Sequence, residues 1–166
     1  MMNAGSSSLK TALFDGALSE VLRIEATGIG GAGEIRTDSE KQPCALPDNA
    51  AALAAILNAL ARRGITLEDL RCVAHRVVHG GTGLTAAARI TPGVRAAIAE
   101  CVPLAPLHNP HHLAAIDAVT SLAPDLPQCA SFDTAFHATM PEVARRFALP
   151  DLPDLPGLQR YGFHGT

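Results

Sequence analysis

The chain has 166 residues, 48% of them hydrophobic and 17% charged, a composition that supports one buried core and excludes a disordered polypeptide. Its formal net charge of −3 leaves no electrostatic footprint for nucleic acid or for an anionic membrane surface. A small anion must therefore be held by local groups, because the overall field does not attract it.

In chain order, Leu9–Phe14 and Glu20–Glu25 read as strands joined through the turn dipeptide Asp15-Gly16. Gly28-Ile29-Gly30-Gly31-Ala32-Gly33 reads as a flexible break. Pro47-Asp48-Asn49 caps a helix whose apolar face is Leu53, Ile56, Leu57 and Leu60, and Gly64 ends it. Cys72–Val78 is a buried-strand candidate. Pro92, at a first helical turn, starts a second helix that runs to about Cys101. Pro110 starts a third, carrying Leu113, Ile116 and Val119 before Pro124, and Gln128–Phe132 follows as another strand. From Pro141 onward, the proline-rich run Leu149–Gly157 predicts an extended loop. A hairpin-rich opening followed by alternating strands and helices indicates a layered α/β domain.

No run approaches the ~18 apolar residues of a membrane span, and no basic-then-apolar leader opens the chain. A cytoplasmic protein without nucleic-acid or membrane partners is expected. Cys44, Cys72, Cys101 and Cys129 are evenly spread with no CxxC pair, which predicts reduced, buried thiols. His108, His111 and His112 crowd around Pro110, but without the i, i+4 spacing of helical metal ligands. His111 and His112 are expected on the surface of a helix start.

Five short stretches carry chemistry. Asn3-Ala4-Gly5-Ser6-Ser7-Ser8-Leu9-Lys10-Thr11 is a small-residue loop ending in a lysine. Its backbone N–H groups, hydroxyls and ammonium suit polyphosphate oxygens. The loop is one residue short of a P-loop and is followed by a strand and a turn, whereas a P-loop enters a helix. Hence it joins two strands. Arg76, in His75-Arg76-Val77-Val78-His79-Gly80-Gly81, sits near the end of an apolar strand, where a guanidinium needs an anion. That anion is either one of the 16 acidic residues or the carboxylate of a substrate forked on the guanidinium. Alternation points Arg76 and Val78 to one face, an arrangement suited to a very short carboxylic acid.

Asp133 follows Ala130-Ser131-Phe132 at a strand end, where open α/β sheets place ligand-facing residues. A turn or capping aspartate is the alternative. His164, among glycines in Tyr161-Gly162-Phe163-His164-Gly165-Thr166, can approach a ligand with little shielding.

Together with Ala105-Pro106-Leu107-His108-Asn109-Pro110 and Phe132-Asp133-Thr134-Ala135-Phe136-His137, these stretches resemble, in this order and along nearly the whole chain, the acetate kinase family of the acetate and sugar kinase superfamily. The resemblance implies a ribonuclease H-like (actin-like ATPase) fold, with a hairpin-rich mixed sheet flanked by helices and the phosphate loop at the tip of its first hairpin. It implies transfer of the ATP γ-phosphoryl group to acetate, giving acetyl phosphate and ADP reversibly, with Mg²⁺ or Mn²⁺. Propionate kinase is the nearest rival, and a non-catalytic binding fragment that keeps the motifs is a rival of another class.

By the same resemblance, Asn3 faces the metal and γ-phosphate, and Ser6, Ser8 and Lys10 meet the nucleotide phosphates. Arg76, Val78, Leu107, His108 and Phe163 form the acyl site, and His164 meets the migrating phosphoryl group. Asp133 orders the metal's water shell or the attacking carboxylate; as a general base it gains little, because that carboxylate is already ionised. Members have two related domains and are homodimers. Residues 1–166 match the first domain, the acyl-substrate side, and half a kinase is expected to be inactive alone.

Overall fold

The structure, a computed structural model, describes residues 1–150 and 158–163. Asp48 caps α1 (Asn49–Ala61), its Oδ1 accepting from Ala51 N at 2.8 Å, and Thr91 caps α2 (Pro92–Glu100), whose first residue is proline. The third helix, α3 (Asn109–Leu122), also has its proline in the first turn, where the missing N–H costs nothing. These three match the sequence expectation. A short α4 (Glu142–Arg145) lies ahead of the proline-rich run, most of which (151–157) is outside the described residues. Among the described residues no helix is long and apolar enough to cross a membrane.

The strands are β1 (Met2–Ala4), β2 (Ser8–Phe14), β3 (Glu20–Thr27), β4 (Gly31–Thr37), β5 (Lys41–Leu46), β6 (Val73–Val77), β7 (Ala88–Arg89) and β8 (Gln128–Phe132). They form one sheet in the order β5-β4-β3-β2-β1-β6-β8-β7. The first five are an antiparallel meander, whereas β1, β6 and β8 run parallel. Parallel pairing brings the C-terminal ends of β1, β6 and β8 to one edge of the sheet. The loop Gly5–Ser7, the turn after Val77 and the turn after Phe132 therefore share that edge.

Three strands, β4, β5 and the two-residue β7, go beyond the sequence expectation. In the glycine run read as a flexible break, residues 28–30 form the turn and residues 31–33 are the first residues of β4. Its partner β5 contains Pro43, yet β5 is the edge strand, and an edge tolerates a residue without an N–H.

One sheet face is apolar. Ala4, Leu9, Ala26 and Ile35 lie side by side in it and pack under Leu53 and Ile56 of α1 and Ala115 and Val119 of α3. A second cluster joins Val77 and Phe132 to Ile98, Leu113 and Ile116. The same side holds a buried polar chain: Gln128 Nε2 donates to Thr120 Oγ1 at 2.8 Å, and Gln128 Oε1 lies 2.8 Å from His75 Nε2. Burial holds the His75 pKa down at about 4, so the ring is neutral at pH 7. The opposite face is polar, and register sets Asn3, Lys10, Glu25 and Arg36 abreast across β1–β4.

The four cysteines are free thiols, as expected of their redox state, but only Cys101 is buried. Cys72 is exposed just before β6, and Cys44 and Cys129 are half-buried.

Candidate active site

Met2 pairs with His75 across β1 and β6, so both side chains point to the apolar face and the next residues, Asn3 and Arg76, point to the polar one. Arg76 pairs in turn with Ser131 of β8, which shares its face with Asp133 two residues on. Lys10, Asn3, Arg76 and Asp133 thus come from four neighbouring strands or their ends, on one face and toward one edge.

Arg76 and Asp133 are in direct contact. Arg76 Nε donates to Oδ1 at 3.0 Å and to Oδ2 at 3.1 Å, and Nη2 donates to Oδ2 at 2.7 Å. Asp133 opens a 3₁₀ turn at residues 133–137, so it is both a turn aspartate and the partner of the arginine. Its side chain is 9% exposed, against 43% for that of Arg76. A guanidinium has two forked edges, and Asp133 occupies the Nε/Nη2 edge. The Nη1/Nη2 edge is left for another planar anion, and the exposure of Arg76 gives it access. The carboxylate raises the already high Arg76 pKa, so the cation is permanent.

Val78 departs from the expected alternation. The strand ends at Val77, and Val78 is a buried bend residue whose carbonyl accepts from Thr134 N at 3.2 Å. Gly80 N donates to Thr134 Oγ1 at 3.1 Å, which ties the β6 exit to the β8 exit. Asn109 ties it to α3: Oδ1 accepts from His79 N at 3.2 Å, and Nδ2 donates to the carbonyls of His79 at 3.0 Å and Ile98 at 3.2 Å. Gly81 turns the chain with φ of +64°, a region that favours glycine. The sequence pattern does not single out Asn109 or Thr134, although both lie inside the motifs around His108 and Asp133. A fully buried amide with each N–H donated is a positional clamp.

At the phosphate-loop candidate, Gly5 N donates to Ser8 O at 2.7 Å, so this N–H is not free as expected; the Ser7 carbonyl accepts from Ile29 N at 3.1 Å. Ser6 and Lys10 are exposed and Ser8 is half-buried. The loop lies at the tip of the first hairpin and joins two strands, unlike a P-loop.

Leu107 is 75% exposed and His108 is exposed, its ring edge-on to Phe163 with centroids 6.3 Å apart. His112 corrects the sequence reading, being 3% exposed where a surface residue was expected. Neither of its ring nitrogens has a hydrogen-bond partner. Burial, and next the positive charge of Arg76, lower its pKa to about 4. His164 lies outside the described residues. An apolar cavity of about 810 Å³ sits at the opposite end of the sheet, among Leu13, Leu22, Leu57 and Leu122, away from all these groups.

The family model described as the acetokinase family matches residues 1–166. The chain belongs to the acetokinase family. It is 44% identical to the acetate kinase of Deinococcus radiodurans over 173 aligned residues, which cover all of this chain and 43% of that protein. The acetate kinase of Streptomyces coelicolor is 41% identical, again over the whole chain and 44% of the relative. Among solved structures, Porphyromonas gingivalis acetate kinase superposes with a TM-score of 0.88 at 36% identity, covering 99% of this chain and 44% of that one. A propionate kinase from Francisella tularensis gives 0.88 at 32%, with the same coverage. The chain therefore spans less than half the length of the curated relatives it matches. As a member of that family, it has the actin-like fold of these relatives, with the mixed sheet described above.

The donor set also bears on a metal. Among the described residues no group of three or more His, Cys, Asp or Glu side chains is placed to hold one. Asn3 offers a neutral amide oxygen, and Asp133 is engaged by Arg76. Such a set fits a Mg²⁺ that arrives on nucleotide phosphates and keeps most of its water.

Proposed function

We propose that residues 1–166 are the acyl-substrate domain of a two-domain phosphotransferase that moves the ATP γ-phosphoryl group to acetate. The observation that carries this reading is the Arg76–Asp133 fork with its second edge open, beside the Gly5–Ser7 hairpin tip. Arg76 holds the acetate carboxylate on the Nη1/Nη2 edge, while Val78, Leu107, His108 and Phe163 bound the methyl end. Ser6, Ser8 and Lys10 hold phosphate oxygens. Asn3 helps hold the nucleotide's Mg²⁺ or Mn²⁺, which neutralises phosphate charge.

In the forward direction a carboxylate oxygen attacks the γ-phosphorus in line, the bond to the β-bridging oxygen breaks, and ADP leaves with that electron pair. No proton is transferred, so the work is positioning and charge neutralisation. His164 donates to the equatorial oxygens of the migrating group, and Asp133 fixes Arg76. Cytoplasmic location and a homodimer of the complete kinase belong to the same proposal.

The propionate kinase of Francisella tularensis, a structural neighbour, supports a second reading in which the acyl group is one methylene longer. That difference is worth only ~1–3 kcal/mol in an apolar pocket. Hydroxylamine trapping of acyl phosphate distinguishes the readings. The 166-residue chain alone is expected to give no hydroxamate from ATP and acetate. Joined to the remainder of the Deinococcus radiodurans relative, it is expected to give acetyl hydroxamate in preference to propionyl. Robust trapping by the chain alone, or none by the joined enzyme, contradicts the proposal.

A further inference from the structure

We infer that His79, His108 and His137, one from each of three motifs, form a seat of imidazole rings that positions the segment Arg160–Phe163. Each ring contacts a different point of that segment. The His79 ring meets Tyr161 edge-on, with centroids 4.6 Å apart and planes at 61°. His108 meets Phe163 at 6.3 Å and 67°. His137 packs on the backbone of Gly162: a Cβ there would lie 2.9 Å from His137 Cδ2 and 3.0 Å from Nε2.

The rings are themselves held. Gly81 N donates to His79 Nδ1 at 3.0 Å, which puts the proton of the neutral ring on Nε2 and fixes the ring plane. His137 stands against Phe136, with centroids 5.1 Å apart and planes nearly perpendicular. Upstream, Arg160 N donates to the Arg145 carbonyl at 2.7 Å, and the Arg160 guanidinium lies 5.4 Å from the centre of the Phe147 ring. Among the described residues the segment lies in no strand, so beyond the Arg160 N–Arg145 O bond the ring contacts place it. This is why residue 162 is glycine: the imidazole occupies the place of a side chain. His79, His108 and His137 are thus positioning residues for Tyr161, Gly162 and Phe163. The seat does not depend on the reaction; its consequence for phosphoryl transfer rests on the function proposed above.

Tyr161 is the single tyrosine and the chain has no tryptophan, so intrinsic fluorescence reports this seat alone. In the native chain, acrylamide is expected to quench Tyr161 severalfold less efficiently than it quenches N-acetyltyrosinamide. Gly162→Val, too large for the ring to yield to, is expected to raise quenching toward that of the free amide without changing the far-ultraviolet melting temperature. His137→Ala combined with Gly162→Val vacates the ring's space and is expected to restore protection. A native Tyr161 as quenchable as the free amide overturns the seat. So does a double variant no better protected than Gly162→Val, whatever the activity of a complete kinase proves to be.

Discussion

In a full-length kinase carrying this domain, Asp133→Ala is expected to lower kcat with acetate on the order of 10²-fold, the penalty typical of a reacting group misplaced by about 1 Å. The reason is geometric. Asp133 takes three hydrogen bonds from Arg76 on one edge of the guanidinium and so fixes the direction of the other edge. Without it, a 43%-exposed arginine is free to swing, and a bound carboxylate swings with it. Asp133→Asn keeps an acceptor but loses the charge, and is expected to fall between alanine and the native enzyme. Steady-state kinetics with varied acetate checks this. A kcat unchanged in Asp133→Ala removes the positioning role.

Acid is the second strong lever, and it acts on the 166-residue chain itself. His75 and His112 are buried and neutral, each with a pKa near 4 in the folded state against 6.5 unfolded. Between these values the unfolded chain binds more protons than the folded one, so stability rises with pH across that window and falls as pH drops through it. Above about pH 7.5 both states hold neutral rings and this contribution is flat. At pH 5 each histidine costs about 2 kcal/mol, a large share of the ~5–15 kcal/mol typical of a domain. Denaturant midpoints are therefore expected to fall steeply from pH 7 to pH 5. His112→Asn, which cannot protonate, is expected to reduce that slope, leaving the shares of His75 and of His79, whose pKa burial also lowers. Equal midpoints at the two pH values rule out buried neutral histidines.

The contrast between His75 and His112 shows what a sequence can and cannot tell. His75 lies inside an apolar strand, so its burial follows from alternation. His112 follows Pro110 and His111 at a helix start, and its burial depends on how α3 docks on β6 through Asn109, a contact 30 residues away in sequence. Local signals mark the three long helices, because Asp48 as a cap and Pro92 and Pro110 in first turns act locally. The strands β4 and β5 escaped, because glycines and Pro43 are punished only where a strand is central, and these lie at the sheet margin.

At the site, the apolar strand predicted that Arg76 needs an anion. Only the parallel pairing of β6 with β8 shows that Asp133, 57 residues on, is its partner. Val78 lies one residue beyond the end of β6, so alternation does not carry to it. The family motifs supply the candidate site residues, while the clamps that tie the strand exits together, Asn109 and Thr134, have no chemical signature of their own.

The central claim is that Arg76 receives the substrate carboxylate on its open edge. The direct measurement is the acetate KM of Arg76→Ala in the full-length kinase, alongside the KM for ATP and a melting curve. Loss of a charge-assisted fork predicts an acetate KM raised about 10²-fold, with the ATP KM nearly unchanged. An acetate KM equal to that of the native enzyme in a folded variant contradicts the account.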